Sequence, residues 1–519
     1  MTDRHPSFQV EPLETMVAVG MVSPDAARIW VRAHRPGSVR LRWWQQNQEE
    51  NCGEATVEIP PAGRRHDNTA AATLPAGGEA LMPLTRYSFE AVHDSDGRQL
   101  GRGSFETFPA SDDETPERFT IGVTSCHQPF LPNGEIRPDS SRMLTAVKRC
   151  MRSRNTKFLL MTGDQMYADF PEPLSLFNEK YFQRLEPYDK ARLRDCSVET
   201  IRRIYQDRYR IFWNHREWQQ LQSEYPCLPI LDDHDILDNW GSRPIYQTEE
   251  WQNVGQGARW AYFDYQGKRV HSAEDGGDTL RDSFHYHFCY GNTATFVMDL
   301  RSNRTAGEGG QLYSPQQQQD LEDFLKKTAN KKVIFLVLSV PVIHLPRFIA
   351  KFVAKLPHTG EDFSDRWSSG AHIHDRDRML KILRAHSLSH PSQKIVLLSG
   401  DIHIGCAHVI TWRAGGPDIY QLISSPLTHK TPSLVQLGSK LLIKANRNVM
   451  TRRKKLEADV RLIQGVEGFR QNPYGGRNIG MVEVHTPSAG ATPTITFLFY
   501  GQKGNEDDEP VCVYQSPPL

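Results

Sequence analysis

The sequence lacks any excess of charge: Lys plus Arg is 62 and Asp plus Glu is 62 over 519 residues. Without a net field a protein does not gather nucleic acid or acidic membrane by bulk attraction, so an anionic substrate must be caught locally. It also lacks CxxC spacing. The eight cysteines, Cys52, Cys126, Cys150, Cys196, Cys227, Cys289, Cys406 and Cys512, are scattered through a long chain, which argues against a zinc module or a disulfide scaffold. No apolar run reaches the ~18 residues of a membrane helix, and MTDRHPSFQVEPLE at the amino terminus carries no basic-then-apolar signal. These absences lead us to expect a reduced, cytoplasmic protein with no transmembrane segment and no nucleic-acid partner. Oligomeric state is left open.

What is present begins with length, which exceeds one ordinary core and suggests two domains. Residues 16–108 read as short β-prone runs, MVAVGMV, ARIWVRA, VRLRWW, EATVEI, TRYSFEAVH and GRGSFETF, broken by Gly and Pro. No helical period interrupts them, so residues 1–112 are expected to form an all-β sandwich of immunoglobulin or fibronectin kind, with Trp30 and Tyr87 in its core. PASDDETPER at 109–118 is polar and bounded by proline, and reads as a linker. Residues 118–501 then alternate apolar runs with helical stretches, the mark of an α/β domain. Residues 502–519 are expected to be a carboxyl-terminal tail.

Within the α/β part five apolar runs end in reactive residues. FTIGVT ends in Ser125 and Cys126, FLLMT in Gly163 and Asp164, CLPIL in DDHDILDN from Asp232, ATFVMDL in Arg301, and KIVLLSG in Asp401 and His403. One polar strand end means little, because strands end in turns. Five at the same end of their strands would meet on one rim of a sheet, where α/β folds keep their sites. Helices are expected at 141–154, with Met143, Leu144, Val147 and Met151 on one face, and at 314–327, opened by Ser314 and Pro315. The glutamines 316–319 read as a solvated face, VIFLVLSVPVIH at 333–344 as another buried strand, and 438–455 as a basic helix on the surface.

The inventory suits phosphoester hydrolysis by clustered cations. Asp164 can bridge two ions, Asp233 and Asp401 add hard charge, His403 adds imidazole, and Asn239 can lend an amide oxygen or cap a turn. Tyr167, three residues beyond Asp164, and Cys126 are anionic donors suited to ferric ion. His234, inside DDHD, can donate a proton to a leaving alkoxide, and Arg301 and Arg304 offer planar forks for phosphoryl oxygens. His372 and His374 in AHIHD stand outside the strand-end series and are expected as exposed residues at a helix start.

The set SC at Ser125, GDQMYAD from Gly163, LDDHDILDN from Leu231, DLRSNR from Asp299, DRWSSG from Asp365 and GDIH from Gly400 resembles, in order and spacing, the alkaline phosphatase D (PhoD-like) branch of calcineurin-like metallophosphatases. The resemblance implies a four-layer α-β-β-α metallophosphatase sandwich behind the all-β domain. It implies one ferric ion and two calcium ions, another divalent metal being compatible, and phosphomonoesterase or phosphodiesterase activity at alkaline pH through metal-bound hydroxide. Matched residue by residue, Cys126, Asp164 and Tyr167 fall on the iron side, and Asp233, Asn239, Asp401 and His403 on the remaining metal positions. His234 and Arg301 fall on catalytic positions; substrate binding by Arg301 and Arg304 is expected from their place after a strand. The chain departs from the family at Asp235 and Asp238, which replace a Glu and an Asn, and at Ser368, Ser369 and Gly370, which replace an acidic residue, Gly and Tyr. It also shows no twin-arginine signal. The alternative is a catalytically silent phosphate- or nucleotide-binding protein on the same fold, against which the intact ligand set argues.

Overall fold

The structure is a computed structural model and describes residues 6–50, 52–61, 63–185, 190–271, 280–307, 309–343, 365–430, 458–487, 491–503 and 508–519. Seven strands come first: β1 (Met16–Val22), β2 (Ala27–Arg32), β3 (Gly37–Gln45), β4 (Cys52–Ile59), β5 (Thr69–Leu74), β6 (Arg86–His93) and β7 (Gln99–Glu106). They pair antiparallel in two sheets, β1-β2-β5 and β4-β3-β6-β7. In β4 the alternation of EATVEI buries Ala55, Val57 and Ile59 and leaves the acidic residues outside. Trp30 and Tyr87 are core residues as expected. The strand that sequence reading passed over is β5, TAAATL, whose three alanines give a weak strand signal.

The chain continues through β8 (Arg118–Thr124), α1 (Pro138–Ser153), β9 (Thr156–Met161), α2 (Glu179–Phe182), α3 (Val198–Phe212), α4 (Arg216–Glu224), β10 (Cys227–Pro229) and α5 (Glu249–Tyr265). Next come β11 (Tyr286–Tyr290), β12 (Thr293–Val297), α6 (Pro315–Lys327), β13 (Val333–Val337), α7 (Ile373–Ser389), β14 (Lys394–Ser399), β15 (Cys406–Trp412) and β16 (Ile419–Ile423). Four strands close it, β17 (Ala458–Leu462), β18 (Asn478–His485), β19 (Thr494–Gly501) and β20 (Val511–Gln515). The strands form two mixed sheets, ordered β10-β9-β8-β18-β19-β20 and β11-β12-β13-β14-β16-β15-β17. In the first, β10, β9 and β8 run parallel; in the second, β12, β13, β14 and β16 do. Their carboxyl ends carry the residues singled out from the sequence.

Several expectations need correction. Residues 502–519 are not simply a tail: β20 completes the six-stranded sheet by pairing with β19, and Leu519 exchanges backbone hydrogen bonds with Ile495. The β-prone run VCVY accounts for it, and the adjacent Val513 and Tyr514, on opposite faces of the strand, are both buried. The polar stretch 109–118 is pinned down: the Asn292 amide donates to Thr115 Oγ1 at 2.8 Å, and Lys331 pairs with Asp112. Among the four glutamines Gln317 is fully buried, where it donates to Asp299 O and accepts from Asp299 N; the other three bond to acids one turn ahead. The run from Val333 is a strand only to Val337, and His344 and the basic stretch 438–455 lie outside the described residues. His372 is buried at the start of α7, held by Ser369 Oγ and Thr305 O, whereas His374 is exposed. Burial withholds protons from the His372 ring and lowers its pKa to about 4.

One core joins the amino-terminal strands to the rest. Trp30 packs edge-on against Trp213, its indole N–H donates to Asp264 O at 2.8 Å, and the Arg269 guanidinium lies over both indoles. Among the described residues no helix is long and apolar enough to cross a membrane.

Candidate metal centre

The strand ends converge because small residues let their backbones touch. A Cβ on Gly400, after β14, would lie 2.2 Å from Ser125 Oγ, after β8, and 2.7 Å from Thr162 Oγ1, after β9. A Cβ on Gly163 would lie 2.3 Å from Asp232 Cβ, after β10, and Gly163 also has φ 102°. The two sheets therefore deliver Cys126, Asp164, Asp232, Asp233 and Asp401 to one place. Ligand oxygens of Asp164, Asp232, Asp233 and Asp401 all lie within 4.8 Å of one another, and Asp164, Asp233 and His234 form a second such group.

Backbone conformation marks the same residues. Among the described residues ten non-glycine residues have positive φ, and five of them are candidate ligands: Cys126 (58°), Asp164 (57°), Asn239 (58°), Asp401 (66°) and His403 (54°). Each such conformation costs about 1–3 kcal/mol and persists only where its surroundings impose it, as at binding centres. No period or propensity in the sequence reveals this.

Cys126 Sγ and Tyr167 Oη each lie 3.3 Å from Asp164 Oδ2, and Ser425 Oγ donates to Cys126 Sγ at 3.1 Å. Burial, followed by the nearby Asp164 charge, pushes the Cys126 thiol and the Tyr167 phenol well above their usual ranges. Burial and the carboxylates of Asp233, Asp232 and Asp235 push the Asp164 carboxyl up against the pull of His234. Burial also acts against the Asp233 carboxylate, but Arg301 and His234 hold its pKa below the usual value. Asp232 Oδ2 and Asp233 Oδ1 are buried without a hydrogen bond among the described residues. Carboxylate oxygens, a thiol and a phenol crowded together form a donor set that suits cations, which would favour the charged form of every one of them. Asn239 donates its backbone N–H to Asp233 Oδ2 at 2.7 Å. His403, whose backbone N–H donates to Ser425 Oγ, stacks on His429 at 4.2 Å; burial, His234 and Arg366 lower its pKa to about 3, so it is neutral and able to ligate.

His234 stacks on Tyr167 at 4.2 Å, and its Nδ1 sits 2.8 Å from Asp169 Oδ1. The orienting carboxylate is thus Asp169, which sequence reasoning did not single out although it closes FLLMTGDQMYAD. Burial opposes protonation of His234, but Asp169 and then Asp164 raise its pKa well above the ordinary value. Asp232 was missed as well, its only signal being the doublet with Asp233.

Arg301 is placed differently from a free phosphate clamp. It is fully buried: Nε donates to Asp232 at 2.6 Å, Nη1 to Asp365 at 2.6 Å and to Trp240 O at 3.2 Å, and Nη2 to Asp365 at 3.0 Å. The physical reason is charge: buried carboxylates need a buried cation, and a planar fork meets two at once. Arg304 Nη2 also bonds to Asp365 O, and its Nε and Nη1 have no partner among the described residues. Arg366, overlooked in the sequence, is partly exposed and pairs with Asp401.

A search among curated proteins finds no significant match. Among solved structures, that of PhoD aligns with a TM-score of 0.66 and 13% identity, covering 98% of this chain and 90% of that chain, which at this identity shows a shared fold. The sensor domain of the anti-sigma factor RsgI4 in Pseudobacteroides cellulosolvens aligns over 19% of this chain and 92% of that one, with a TM-score of 0.15 and 16% identity. A calcium-binding mutant of Bacteroides uniformis beta-glucuronidase 2 aligns over 94% and 60%, with a TM-score of 0.25 and 9% identity. Scores this low carry no argument. The profile of the PhoD-like phosphatases matches residues 121–461, from within β8 to within β17. That span is more than half of the chain and takes in every strand that ends in a candidate ligand, and on it the chain belongs to the PhoD-like phosphatase family.

Proposed function

We propose that the protein is a metal-dependent phosphoric ester hydrolase of the alkaline phosphatase and phosphodiesterase type. The observation that carries this is the group of four carboxylates within 4.8 Å, three of them buried and Asp401 half-buried, delivered by three strand ends and flanked by a thiol, a phenol and imidazoles. A ferric ion suits Cys126, Asp164 and Tyr167, and the oxygens of Asp233, Asn239 and Asp401 suit two calcium ions or another hard divalent cation, with His403 as a further ligand whose imidazole suits a transition metal. Cations there would neutralise phosphoryl oxygens and make water nucleophilic at neutral pH.

The chain's own residues do the rest. Asp169 fixes His234 through Nδ1, which leaves Nε2 to hand a proton to the departing oxygen. Arg301 holds Asp232 in place and neutralises Asp233, so its catalytic contribution is to keep the carboxylates aligned. Arg366, partly exposed and paired with the candidate ligand Asp401, supplies positive charge that can exchange Asp401 for a phosphoryl oxygen. The same reading takes the six- and seven-stranded sheets as inner layers of an α-β-β-α sandwich. Contacts of β8 with β14, and of α1 and α7 with their respective sheets, support it. Residues 1–112 are read as the immunoglobulin- or fibronectin-like domain, supported by two antiparallel sheets of three and four strands.

The test is hydrolysis of a chromogenic phosphomonoester and phosphodiester before and after chelation, with elemental analysis and a visible spectrum. Turnover that chelator abolishes and metal restores is expected, with a charge-transfer band that Tyr167→Phe removes. Metal-loaded but inert protein would sink the reading. A colourless active protein holding only divalent metal would overturn the ferric assignment alone.

A further inference from the structure

Asp235 is wholly buried and belongs to neither ligand group. Its Oδ2 accepts from the backbone N–H of Asp164 at 3.1 Å and of Asp232 at 3.2 Å. Its Oδ1 accepts from Tyr209 Oη at 3.1 Å and from Gln266 Nε2 at 3.2 Å. With four donors on two oxygens the carboxylate is saturated and is not available as a ligand. What it does instead is bridge the ends of β9 and β10, the two strands that supply Asp164 and the Asp232–Asp233 pair. Asp164 stands in the left-handed region, which is uncommon for any non-glycine residue although Asp enters it more readily than most, and the bond from its N–H to a fixed carboxylate is one constraint that holds it there.

The fixing continues outward. Gln266 Nε2 also donates to Tyr209 Oη at 2.9 Å, and the Tyr209 ring stacks on Tyr265 at 4.8 Å and 11°. Tyr265 donates to Asp67, which Arg32 Nη2 holds at 3.0 Å. Arg32 ends β2 and Asp67 precedes β5, so the last links belong to the amino-terminal sheets.

We propose that Asp235 is a positioning residue that sets the Asp164 and Asp232 backbones for cation binding, and that the amino-terminal sheets hold it there through Asp67, Tyr265 and Tyr209. The inference rests on the metal-centre reading. Full-length protein stripped by chelator and titrated calorimetrically with Mn2+ separates the two. If the wild type binds no Mn2+, the metal reading fails and this inference with it; if the wild type binds and the variants match it, this inference alone fails.

In Asp235→Ala two buried amides lose their acceptor, and Mn2+ affinity is expected to fall about tenfold or more. Asp235→Asn keeps one oxygen for the two amides, while Tyr209 and Gln266 can turn to accept from its nitrogen, so affinity stays within about threefold of wild type. Tyr209→Phe removes one donor that bonds to Asp235 and to no candidate ligand, and weakens binding about two- to fivefold. Gln393→Ala deletes buried hydrogen bonds to Thr328 O and Lys331 O elsewhere and leaves affinity unchanged, which separates positioning from general destabilisation. Wild-type affinity in Asp235→Ala overturns the proposal, as does an Asp235→Asn protein as weak as the alanine variant. If Asp235→Ala does not fold, wild-type affinity in Tyr209→Phe overturns it.

Discussion

His234 and Asp169 divide one task between them. Replacing His234 with Ala should lower kcat about 10²–10⁴-fold, the usual contribution of a positioned proton donor, with metal content unchanged. Asp169→Asn should cost about 10²–10⁴-fold, because the imidazole loses the charged carboxylate that fixes its tautomer while Nε2 remains. Steady-state rates on a chromogenic ester, beside elemental analysis, check both. Arg301→Ala should fail in another way. It strips the compensating charge from Asp232 and Asp365 and should destabilise the fold by about 3–5 kcal/mol, seen as a lower Tm in the metal-free protein, whereas Arg366→Ala should raise KM and leave Tm nearly unchanged. At this scale Asp164, Asp233 and His234 were legible because each follows an apolar run or sits among carboxylates. Asp169 was not tied to His234 because 65 residues separate them in sequence.

Elements were legible where a single pattern controlled them. Helix α6 begins where Ser314 can accept from Gln317 N and Pro315 occupies the first turn. Burial of Gln317 was not legible, since its position among four identical residues says nothing about which faces Asp299. Helix α7 shows the same limit at His372, and β15 at His408. Burial withholds protons from both rings and lowers each pKa to about 4, against about 6.5 in an unfolded chain. Between those values the unfolded chain binds the protons and the folded one does not, so stability is full above about pH 6.5 and is lost as pH falls towards 4. Thermal melting from pH 7.5 to pH 4 should show Tm falling through this window. Substituting His372 with Gln should shallow the slope.

Across the whole molecule the amino-terminal sheets are structural partners of the centre. Removing residues 1–112 would uncover Trp213, Tyr265, Arg269 and Lys268, all buried in the intact chain, and would leave Asp264 without the His66 contact. The truncated chain is therefore expected to be insoluble or aggregated on size-exclusion chromatography; a monomeric, fully active product would show that the shared core is dispensable.

Local chemistry in the chain was enough to determine the alternation of strands and helices, the strand-end residues that converge and the family they resemble, because apolar period and turn composition act over a few residues. Only the tertiary structure decided which carboxylate orients His234, that Arg301 compensates buried charge, that β20 completes a sheet and that five candidate ligands stand at positive φ. Those outcomes depend on burial and on contacts between residues far apart in sequence, which no local pattern encodes.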